Sequence, residues 1–357
     1  MLLQIMYSSY SQRRNKLYDK IKGKAILLDG NNIFYLTGFM AAGIERLIAL
    51  VIDDKKSYLI IPALHKNDVT NIDQSIQVLI WNDGEDPLKL LLEISGNAPV
   101  FVESSMPAYI YSKFKNKIEF IDSTISAMRA IKDNEEINNI KEAIKIAETS
   151  LEQLIPEIHE GISESELASL LDHNFIRNGA AGNAFPTIAS FGKNAASPHH
   201  SPDNTLLQHD QCIVIDFGCV VGNYRSDETR TFFFGKPDEK FTAAYSILKK
   251  AQLAGCNYAG PGCTGKELDS YVHNIINQAG YGSYFIHRTG HGIGLNEHEE
   301  PFIDQNNEKI LLPGNCITVE PGIYMPGEFG IRIEDTLIIN SKGADVPEKF
   351  TKNLILI

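Results

Sequence analysis

Short apolar segments alternate with helical ones in the first third of the chain. Six of these segments are bounded by turn residues, as is typical of β-strands. They are KAILLDG (24–30), RLIALVIDD (46–54), KSYLIIP (56–62), IQVLIWN (76–82), PVFVES (99–104) and IEFID (118–122). The pattern predicts an α/β domain over residues 1–127.

A longer helical pattern follows and marks the start of a second domain, residues 128–357. Its apolar residues recur at spacings of three and four, which predicts one buried helix face; they are Ile137, Ile140, Ile144, Ala147, Leu151 and Leu154. The polar sequence KDNEE before them offers capping groups and negative charge, both suited to a helix N-terminus.

The second domain contains an internal repeat. Residues 161–179 (GISESELASLLDHNFIRNG) resemble residues 262–280 (GCTGKELDSYVHNIINQAG). Each copy begins with the pattern of a capping box, Ser163 with Glu166 and Thr264 with Glu267. Similar neighbouring elements predict a duplicated α-α-β unit with a pseudo-two-fold axis. A cleft between the two halves is a natural ligand site.

Four carboxylates stand in or beside apolar, strand-like segments of this domain. They are Asp216 in QCIVIDFGCVVG, Asp227 in YRSDETRTFFF, Glu320 in CITVEPGIY and Glu334 in GIRIEDTLII. Burying an unpaired carboxylate costs several kcal/mol. The nearest cations in sequence, Arg225, Arg230 and Arg332, are too few to neutralise four acids. The pattern therefore predicts bound divalent cations.

His291, in the segment HRTGHGIGLNEHEEP, adds a nitrogen ligand to this set. The glycines around it are expected to let metal and substrate come close. One imidazole and four carboxylates suit Mn²⁺, Co²⁺, Zn²⁺ or Fe²⁺ better than Ca²⁺. Bidentate and bridging carboxylates would allow two ions per chain, as in two-metal hydrolytic sites.

Composition narrows the class of protein. With 43% hydrophobic and 22% charged residues, the chain is typical of a globular protein. The net charge of −12 argues against nucleic acid or an anionic membrane as partner. No run approaches the ~20 apolar residues of a membrane span, and no basic stretch precedes the short N-terminal apolar run, so we expect no signal peptide. Five cysteines without a C-x-x-C pair predict reduced thiols and a cytoplasmic protein.

The motifs IDFG, SDETRT, GHGIG, VEPGIY and RIED, in this order, resemble those of Xaa-Pro peptidases. These form the prolidase and aminopeptidase P branch of the pita-bread metallopeptidases. YLTGF and LIIP resemble the creatinase-type N-terminal domain of that branch, so the likeness covers nearly the whole chain. It implies a two-domain α+β or α/β protein: a creatinase-like N-terminal α/β domain followed by a pseudo-two-fold pita-bread catalytic domain.

The resemblance also implies roles for individual residues. Asp216, Asp227, His291, Glu320 and Glu334 would bind two divalent ions, Mn²⁺ or Co²⁺ first and Zn²⁺ or Fe²⁺ as alternatives. Asp227 and Glu334 would bridge the ions or touch the water between them. A metal-bound hydroxide would attack the carbonyl before proline, and Glu320 would carry its proton to the leaving nitrogen.

Substrate-side roles follow from the same resemblance. His199, His287 and His298 would hold the carbonyl or the oxyanion. Arg332 would order the metal ligands or contact substrate. The proline pocket is not defined by pattern: Phe185, Phe191 and Tyr324 are candidates, with core packing as the alternative interpretation of each.

Several alternatives stay open. The expected substrate is an Xaa-Pro dipeptide, because the short chain and compact N-terminal domain favour a dipeptidase; aminopeptidase P would need an open path beyond proline. Methionine aminopeptidase shares the fold and the five ligands, but the N-terminal domain and RIED favour the proline branch. Creatinase uses the architecture without these metals, and a non-catalytic binding module would have lost ligands. The resemblance implies a homodimer, and the sequence gives neither the physiological metal nor the preferred residue before proline.

Overall fold

The structure, a computed structural model, describes residues 2–40, 45–54, 56–70, 72–115 and 117–357, with side chains from residue 9 onward. The chain divides into two compact units, Met1–Arg129 and Ala130–Ile357. None of the described helices is long and apolar enough to cross a membrane.

The first unit is built on a mixed sheet. Its strands are β1 (Lys24–Leu27), β2 (Ala49–Asp53), β3 (Lys56–Pro62), β4 (Ile76–Trp81), β5 (Val100–Val102) and β6 (Ile118–Phe120). The sheet order is β4-β3-β2-β1-β5-β6. Strand β2 is antiparallel to β1 and to β3, whereas β1–β5, β5–β6 and β3–β4 are parallel pairs. All six predicted strands are confirmed.

Helices accompany this sheet. They are α1 (Leu2–Ile21), α2 (Gly30–Thr37), α3 (Pro87–Ser95), α4 (Ala108–Tyr111) and α5 (Asp122–Arg129), with a short 3₁₀ helix at Ala63–His65. The core of the unit includes Ile26, Val51, Ile60 and Val100, each fully buried. An α/β domain, as the alternation of segments predicted, therefore forms the first part of the chain.

The long helix predicted after the first unit is α6 (Asn134–Leu154). Asp133 caps it: the Asp133 side chain accepts from the amides of Glu135 and Glu136, and the Glu136 side chain accepts from the Asp133 amide at 2.8 Å. Of the six predicted apolar positions, only Ile137 is partly exposed, and the other five are buried.

The internal repeat corresponds to two similar helix pairs. In each pair a 14-residue helix, α7 (Glu164–Arg177) or α9 (Gly265–Gln278), follows a longer one, α6 or α8 (Glu239–Tyr258). Thr264 and Glu267 form the full capping box, whereas at the first copy the Ser163 side chain accepts from the Glu166 amide at 3.1 Å without the reciprocal bond. The predicted capping box is thus complete only in the second copy.

Two sheets complete the second unit, and their strand pairs are antiparallel except for the parallel pair of β11 and β19. The first has the order β19-β11-β8-β7, the second β13-β12-β14-β17-β18, and two-stranded ribbons pair β9 with β10 and β15 with β16. Their bounds are β7 (Ile188–Phe191), β8 (Gln211–Phe217), β9 (Val220–Val221), β10 (Tyr224–Arg225), β11 (Glu228–Phe234), β12 (Gly290–Gly292), β13 (Glu299–Ile303), β14 (Cys316–Val319), β15 (Gly322–Met325), β16 (Phe329–Arg332), β17 (Asp335–Ile339), β18 (Ala344–Asp345) and β19 (Ile355–Leu356). Further 3₁₀ helices lie at Ile155–Glu157, Gly192–Ala196 and Gly282–Tyr284.

Each helix pair covers one sheet. Apolar residues of α6 and α7, such as Leu151 and Leu171, share a core with Ile213 of β8. Those of α8 and α9, such as Leu248 and Val272, share another with β14 and β17. This pairing is the pseudo-two-fold architecture expected of the pita-bread fold.

Candidate metal centre

The five predicted metal ligands come from the two sheets and line one cavity of about 560 Å³. Asp216 lies near the end of β8, and Asp227 comes directly before β11. His291 is the central residue of β12, Glu320 follows β14, and Glu334 precedes β17. The structure therefore brings together residues that are up to 118 positions apart, from Asp216 to Glu334.

Thr229 connects the two sheets at this point. On one side it is the antiparallel partner of Asp216. On the other it forms an isolated bridge with Glu334: its carbonyl accepts from the Glu334 amide at 3.1 Å, and its hydroxyl donates to Glu334 Oε2 at 2.7 Å. Sequence reasoning missed this role, although Thr229 stands two residues after Asp227 and therefore on the same face of the strand.

The ligand atoms are close enough to share an ion. One ligand atom from each of Asp227, His291 and Glu334 lies within 4.8 Å of the other two. His291 Nε2 is 3.1 Å from Glu320 Oε1 and 3.6 Å from Asp227 Oδ2. Asp227, His291 and Glu334 are all buried.

Unpartnered oxygens test whether the site fits divalent cations. Among the described residues, Asp216 Oδ1 and Glu334 Oε1 are buried without a hydrogen-bond partner. Arg332 pairs with Asp216, while Arg230 pairs with Glu228 and Asp335 instead. Buried carboxylate oxygens without donors are costly, and a hard or borderline cation would satisfy them. The donor set therefore fits the predicted ions.

Crowding of these acids shifts their protonation. Burial, followed by the neighbouring carboxylates, raises the pKa of Asp227 and of Glu334 well above the ordinary range. Burial acts to raise the pKa of Glu320 as well, but its bond with His291 and the nearby His287 outweigh that effect and lower it to about 2. Mutual repulsion of this kind is relieved when positive ions bind.

The glycines beside His291 have a different purpose from the predicted one. A Cβ atom on Gly290 would collide with the carbonyl oxygen of Thr318, and one on Gly292 with that of Glu300. Neighbouring backbone, rather than metal or substrate, thus requires both glycines. Thr318 also holds the ligands, because its hydroxyl accepts from the His291 amide at 3.1 Å and lies 3.1 Å from Glu320 Oε1.

The three accessory histidines, His199, His287 and His298, line the same cavity. The His298 ring is perpendicular to that of His291, with centroids 4.2 Å apart. Burial, aided by His291 and Arg288, lowers the pKa of His298 to about 4. His287 Nε2 lies 2.9 Å from the Tyr324 hydroxyl, and burial lowers the pKa of His287 too. Both rings are therefore neutral at pH 7.

Arg332 joins the metal ligands to a polar group beside them. It donates from Nη2 to Asp216 Oδ2 at 2.7 Å and from Nη1 to the Tyr324 hydroxyl at 2.8 Å. Its Nε donates to the Thr229 hydroxyl at 3.0 Å. Tyr324 is thus a buried polar partner. Of the other two pocket candidates, Phe185 lines the cavity and Phe191 packs in the core.

The loop that carries His199 is fixed by a buried acid. Glu164 Oε2 lies 2.7 Å from His200 Nε2 and accepts from the Asp203 amide at 3.2 Å. Sequence reasoning missed this anchor, as well as Arg288 and Glu297, which also line the cavity. Glu297 could have been identified from its acidic side chain within the histidine-rich segment HRTGHGIGLNEHEEP.

Comparison with known proteins identifies the family. Residues 138–341 match the model of metallopeptidase family M24, and residues 13–131 match the creatinase/prolidase N-terminal domain. The chain belongs to metallopeptidase family M24. As an M24 peptidase it is an enzyme, and membership of this family implies divalent metal binding.

Relatives of this M24 peptidase match it over most of its length. An uncharacterized peptidase of Staphylococcus saprophyticus is 36% identical over 87% of this chain and 91% of its own. The prolidase of Thermococcus sibiricus has a TM-score of 0.92 at 34% identity and covers 98% of this chain and 99% of its own. The Xaa-Pro dipeptidase of Bacillus anthracis has a TM-score of 0.91 at 29% identity and covers 98% and 100%. The two-domain fold predicted from the resemblance is confirmed.

Proposed function

We propose that this M24 peptidase hydrolyses Xaa-Pro dipeptides, using two divalent ions held by Asp216, Asp227, His291, Glu320 and Glu334. The observation that carries the proposal is the single cavity in which these five residues meet, with buried oxygens of Asp216 and Glu334 left unpartnered among the described residues. Similarity to a prolidase and an Xaa-Pro dipeptidase supports the substrate class.

The chemistry divides between the ions and the side chains. When bound, the ions would supply Lewis acidity and activate a water molecule for attack on the carbonyl before proline. Glu320 would receive the proton of that water and pass it to the proline nitrogen. Thr318 and His291, each 3.1 Å from Glu320 Oε1, orient the carboxylate for this transfer.

The accessory histidines would act on the substrate side of the cavity. Burial lowers the pKa of both His298 and His287, so both rings are neutral. His298 can donate one N–H to the reacting carbonyl without adding charge, whereas His287 donates its Nδ1–H to the Arg288 carbonyl at 2.8 Å and accepts at Nε2 from the Tyr324 hydroxyl. His199 lies in the same cavity, on the loop that Glu164 anchors through His200. This arrangement supports a role for all three on the substrate side.

A group on one side of the cavity supports dipeptidase over aminopeptidase activity. Arg332, Tyr324 and His287 are linked by contacts of 2.8 and 2.9 Å. The Arg332 guanidinium suits a carboxylate. The Tyr324 hydroxyl accepts from it and donates to His287 Nε2, so these two residues orient the guanidinium. We propose that this group receives the free carboxylate of proline, which a longer peptide lacks at that position.

The proposal also includes the domain bounds, the cellular location, the oligomeric state and the identity of the ions. Residues 1–127 would form the creatinase-type N-terminal domain and 128–357 the catalytic domain, supported by compact units and family matches with similar bounds. The five cysteines are free, four of them buried, which supports a reducing cytoplasm. A homodimer and Mn²⁺ or Co²⁺ as the ions are supported by the family resemblance and, for the ions, by the donor set.

The test is hydrolysis of Ala-Pro, Ala-Pro-Ala and Met-Ala-Ser by protein reconstituted with Mn²⁺ or Co²⁺, with bound metal counted by mass spectrometry. We expect two ions per chain and cleavage of Ala-Pro alone. Cleavage of the tripeptide Ala-Pro-Ala as well would make the enzyme an aminopeptidase P. Cleavage of Met-Ala-Ser only would move it to the methionine branch, and two bound ions without any cleavage would refute the substrate class.

A further inference from the structure

The catalytic cavity contains a carboxylate that the proposed metal site does not use. Glu297 lies in the segment between β12 and β13 and lines the cavity together with the five proposed ligands. Its side chain is 35% exposed, so it faces the part of the cavity that substrate and solvent can reach. Five other residues already supply the ligands for two ions, so this charge is available for another partner.

Glu297 lies close to the reacting centre. Its Oε1 is 3.4 Å from Nε2 of His298, whose ring packs against the proposed ligand His291. Burial, and then the charge of Asp216, raise the pKa of Glu297, which places its carboxylate within electrostatic reach of the metal ligands. A group bound at Glu297 would therefore belong to the same substrate molecule as the bond being cleaved.

Apolar side chains line the same cavity, in a segment linked to that of Glu297. Arg225 makes the link: its amide donates to the carbonyl of Gly294 at 2.9 Å, and its Nε donates to the carbonyl of Ala184 at 3.2 Å. Phe185, directly after Ala184, lines the cavity, as does Ile188. A cavity that offers both apolar side chains and a carboxylate suits a side chain with a long aliphatic stem and a cationic end.

Other charges in the region must be weighed. The positive charge of Arg225 lowers the pKa of Glu297, but the Arg225 side chain donates to two backbone carbonyls, those of Ala184 and Leu295. Arg288 also lines the cavity, with its guanidinium carbon 4.6 Å from the centre of the Phe302 ring. Once two divalent ions neutralise the ligand carboxylates, Glu297 is the remaining acid among the residues that line the described cavity.

The two ends of the dipeptide then have distinct partners. The group of Arg332, Tyr324 and His287 is proposed above to receive the proline carboxylate, and the metal ligands lie beside it. The residue before proline extends to the other side of the cleaved bond. Glu297, outside the Arg332 group and next to His298, is the charged group suited to that side chain.

We propose that Glu297 selects Xaa-Pro dipeptides whose first residue is lysine or arginine. The inference rests on the proposed function and narrows its substrate class. Opposite charges at a partly exposed site attract a cationic residue and repel an acidic one. The effect should weaken with added salt, because the carboxylate is partly open to solvent.

The experiment compares kcat/KM for Lys-Pro, Ala-Pro and Glu-Pro in the metal-loaded enzyme and in Glu297→Gln and Glu297→Lys. We expect the unmodified enzyme to prefer Lys-Pro to Glu-Pro by about tenfold or more at low salt. Glu297→Gln should lower the value for Lys-Pro by about tenfold while changing that for Ala-Pro by no more than about twofold. Glu297→Lys should favour Glu-Pro over Lys-Pro.

Glu300→Gln is the matched control. It removes the same charge three residues later, from a side chain that pairs with Lys309 at 2.9 Å and does not line the cavity. It should leave all three values unchanged. An equal loss for all three dipeptides in Glu297→Gln would mean that Glu297 binds the common amino terminus or supports the site, and would overturn the inference. So would a lack of preference in the unmodified enzyme.

A binding measurement separates this inference from the proposed function. Calorimetry of the metal-loaded enzyme with analogues of Lys-Pro and Glu-Pro whose scissile carbonyl is reduced to a methylene, which should bind without being cleaved, compares the two side chains directly. Tighter binding of the lysine analogue, lost in Glu297→Gln, supports the inference even if no dipeptide is cleaved by the unmodified enzyme. Equal affinities overturn it even if Ala-Pro hydrolysis establishes the proposed function.

Discussion

Two sets of buried carboxylates lie on opposite faces of β11 and β17 and differ in how their charge is compensated. The metal face carries Asp227 and Glu334, together with Asp216, Glu320 and His291. The back face carries Glu228 and Asp335, the next residue along each chain segment. Because side chains alternate along a strand, neighbouring acids in sequence enter different surroundings.

On the back face the protein supplies its own cations. Arg230 Nη2 lies 2.9 Å from both Glu228 Oε1 and Asp335 Oδ1, and Lys352 Nζ lies 2.9 Å from Asp335 Oδ2. Arg230 also donates to the backbone carbonyl of Glu334 at 2.6 Å. On the metal face, Arg332 pairs with Asp216 alone of the proposed ligands. The contrast shows that burial of acids does not by itself indicate a metal site; a cluster of several buried acids with too few protein cations does.

The largest difference in activity and metal content should come from removing one carboxylate from the metal face and, in a separate variant, one from the back face. Asp227→Asn removes a ligand, so hydrolysis of Ala-Pro should fall to background and bound metal should drop, while the circular dichroism spectrum stays that of the folded protein. Glu228→Gln, one residue away, should retain both metal and activity. Equal loss of metal in the two variants would show that the faces are not separate.

Arg230→Met tests the back face next. Removing one partner of a buried ion pair leaves uncompensated charge and costs about 3–5 kcal/mol. We therefore expect the free energy of unfolding, measured with urea in metal-free protein, to fall by about that amount. Arg230→Lys should recover part of it. A change below about 1 kcal/mol would contradict the view that this cation neutralises the face.

His298→Ala tests whether His298 contacts substrate or binds an ion. Loss of one hydrogen-bond donor to the reacting carbonyl is expected to lower kcat by about 10²-fold. Metal content, measured by mass spectrometry, should stay near two ions per chain. A variant that loses its metal would place His298 among the ligands.

The smallest effect is a difference between two pH profiles. A carboxyl whose pKa is raised by folding stabilises the folded state fully below the unfolded pKa near 4, and this contribution is lost as pH rises through the raised value. Metal-free protein should therefore lose stability from about pH 5 upward. Asp227 and Glu334 cause this loss on the metal face, and Glu228, with a pKa of about 8, causes it on the back face.

Bound ions replace protons on the metal face only. The gain in melting temperature on metal loading should thus increase from pH 6 to pH 8, while the loss caused by Glu228 remains in both forms. Scanning calorimetry of both forms measures this difference. Parallel profiles would mean that the raised pKa values on the metal face do not contribute to stability.

Sequence patterns predicted much of this molecule because they are local. Alternation and turn residues were enough for the six strands of the first unit, and three- and four-residue spacing was enough for α6. Four of the five proposed ligands were identified because acids are unusual in or beside apolar strands, and the structure brings them together with His291. Their individual roles remain predictions.

What could not be predicted depends on pairing between distant segments. Of the two adjacent acids in SDETRT, Asp227 was predicted as the ligand, but the physical reason lies in the pairing of Thr229 with Asp216 and Glu334, which turns Asp227 and not Glu228 to the cavity. The glycines beside His291 are required because the backbone of Thr318 and Glu300 lies against them, and sequence alone does not predict that contact. Glu297 lies in an irregular segment without periodicity and was therefore missed.

The alternation along β11 also determines which changes of chain length the enzyme can tolerate. Deletion of Glu228 or Thr229 would shift the strand by one residue, half a period, and place Arg230 in the position of Thr229, on the face of Asp227. Arginine would then stand where divalent ions are proposed to bind. Added residues in the turn between β9 and β10 leave this register intact, so libraries of length variants should be directed there.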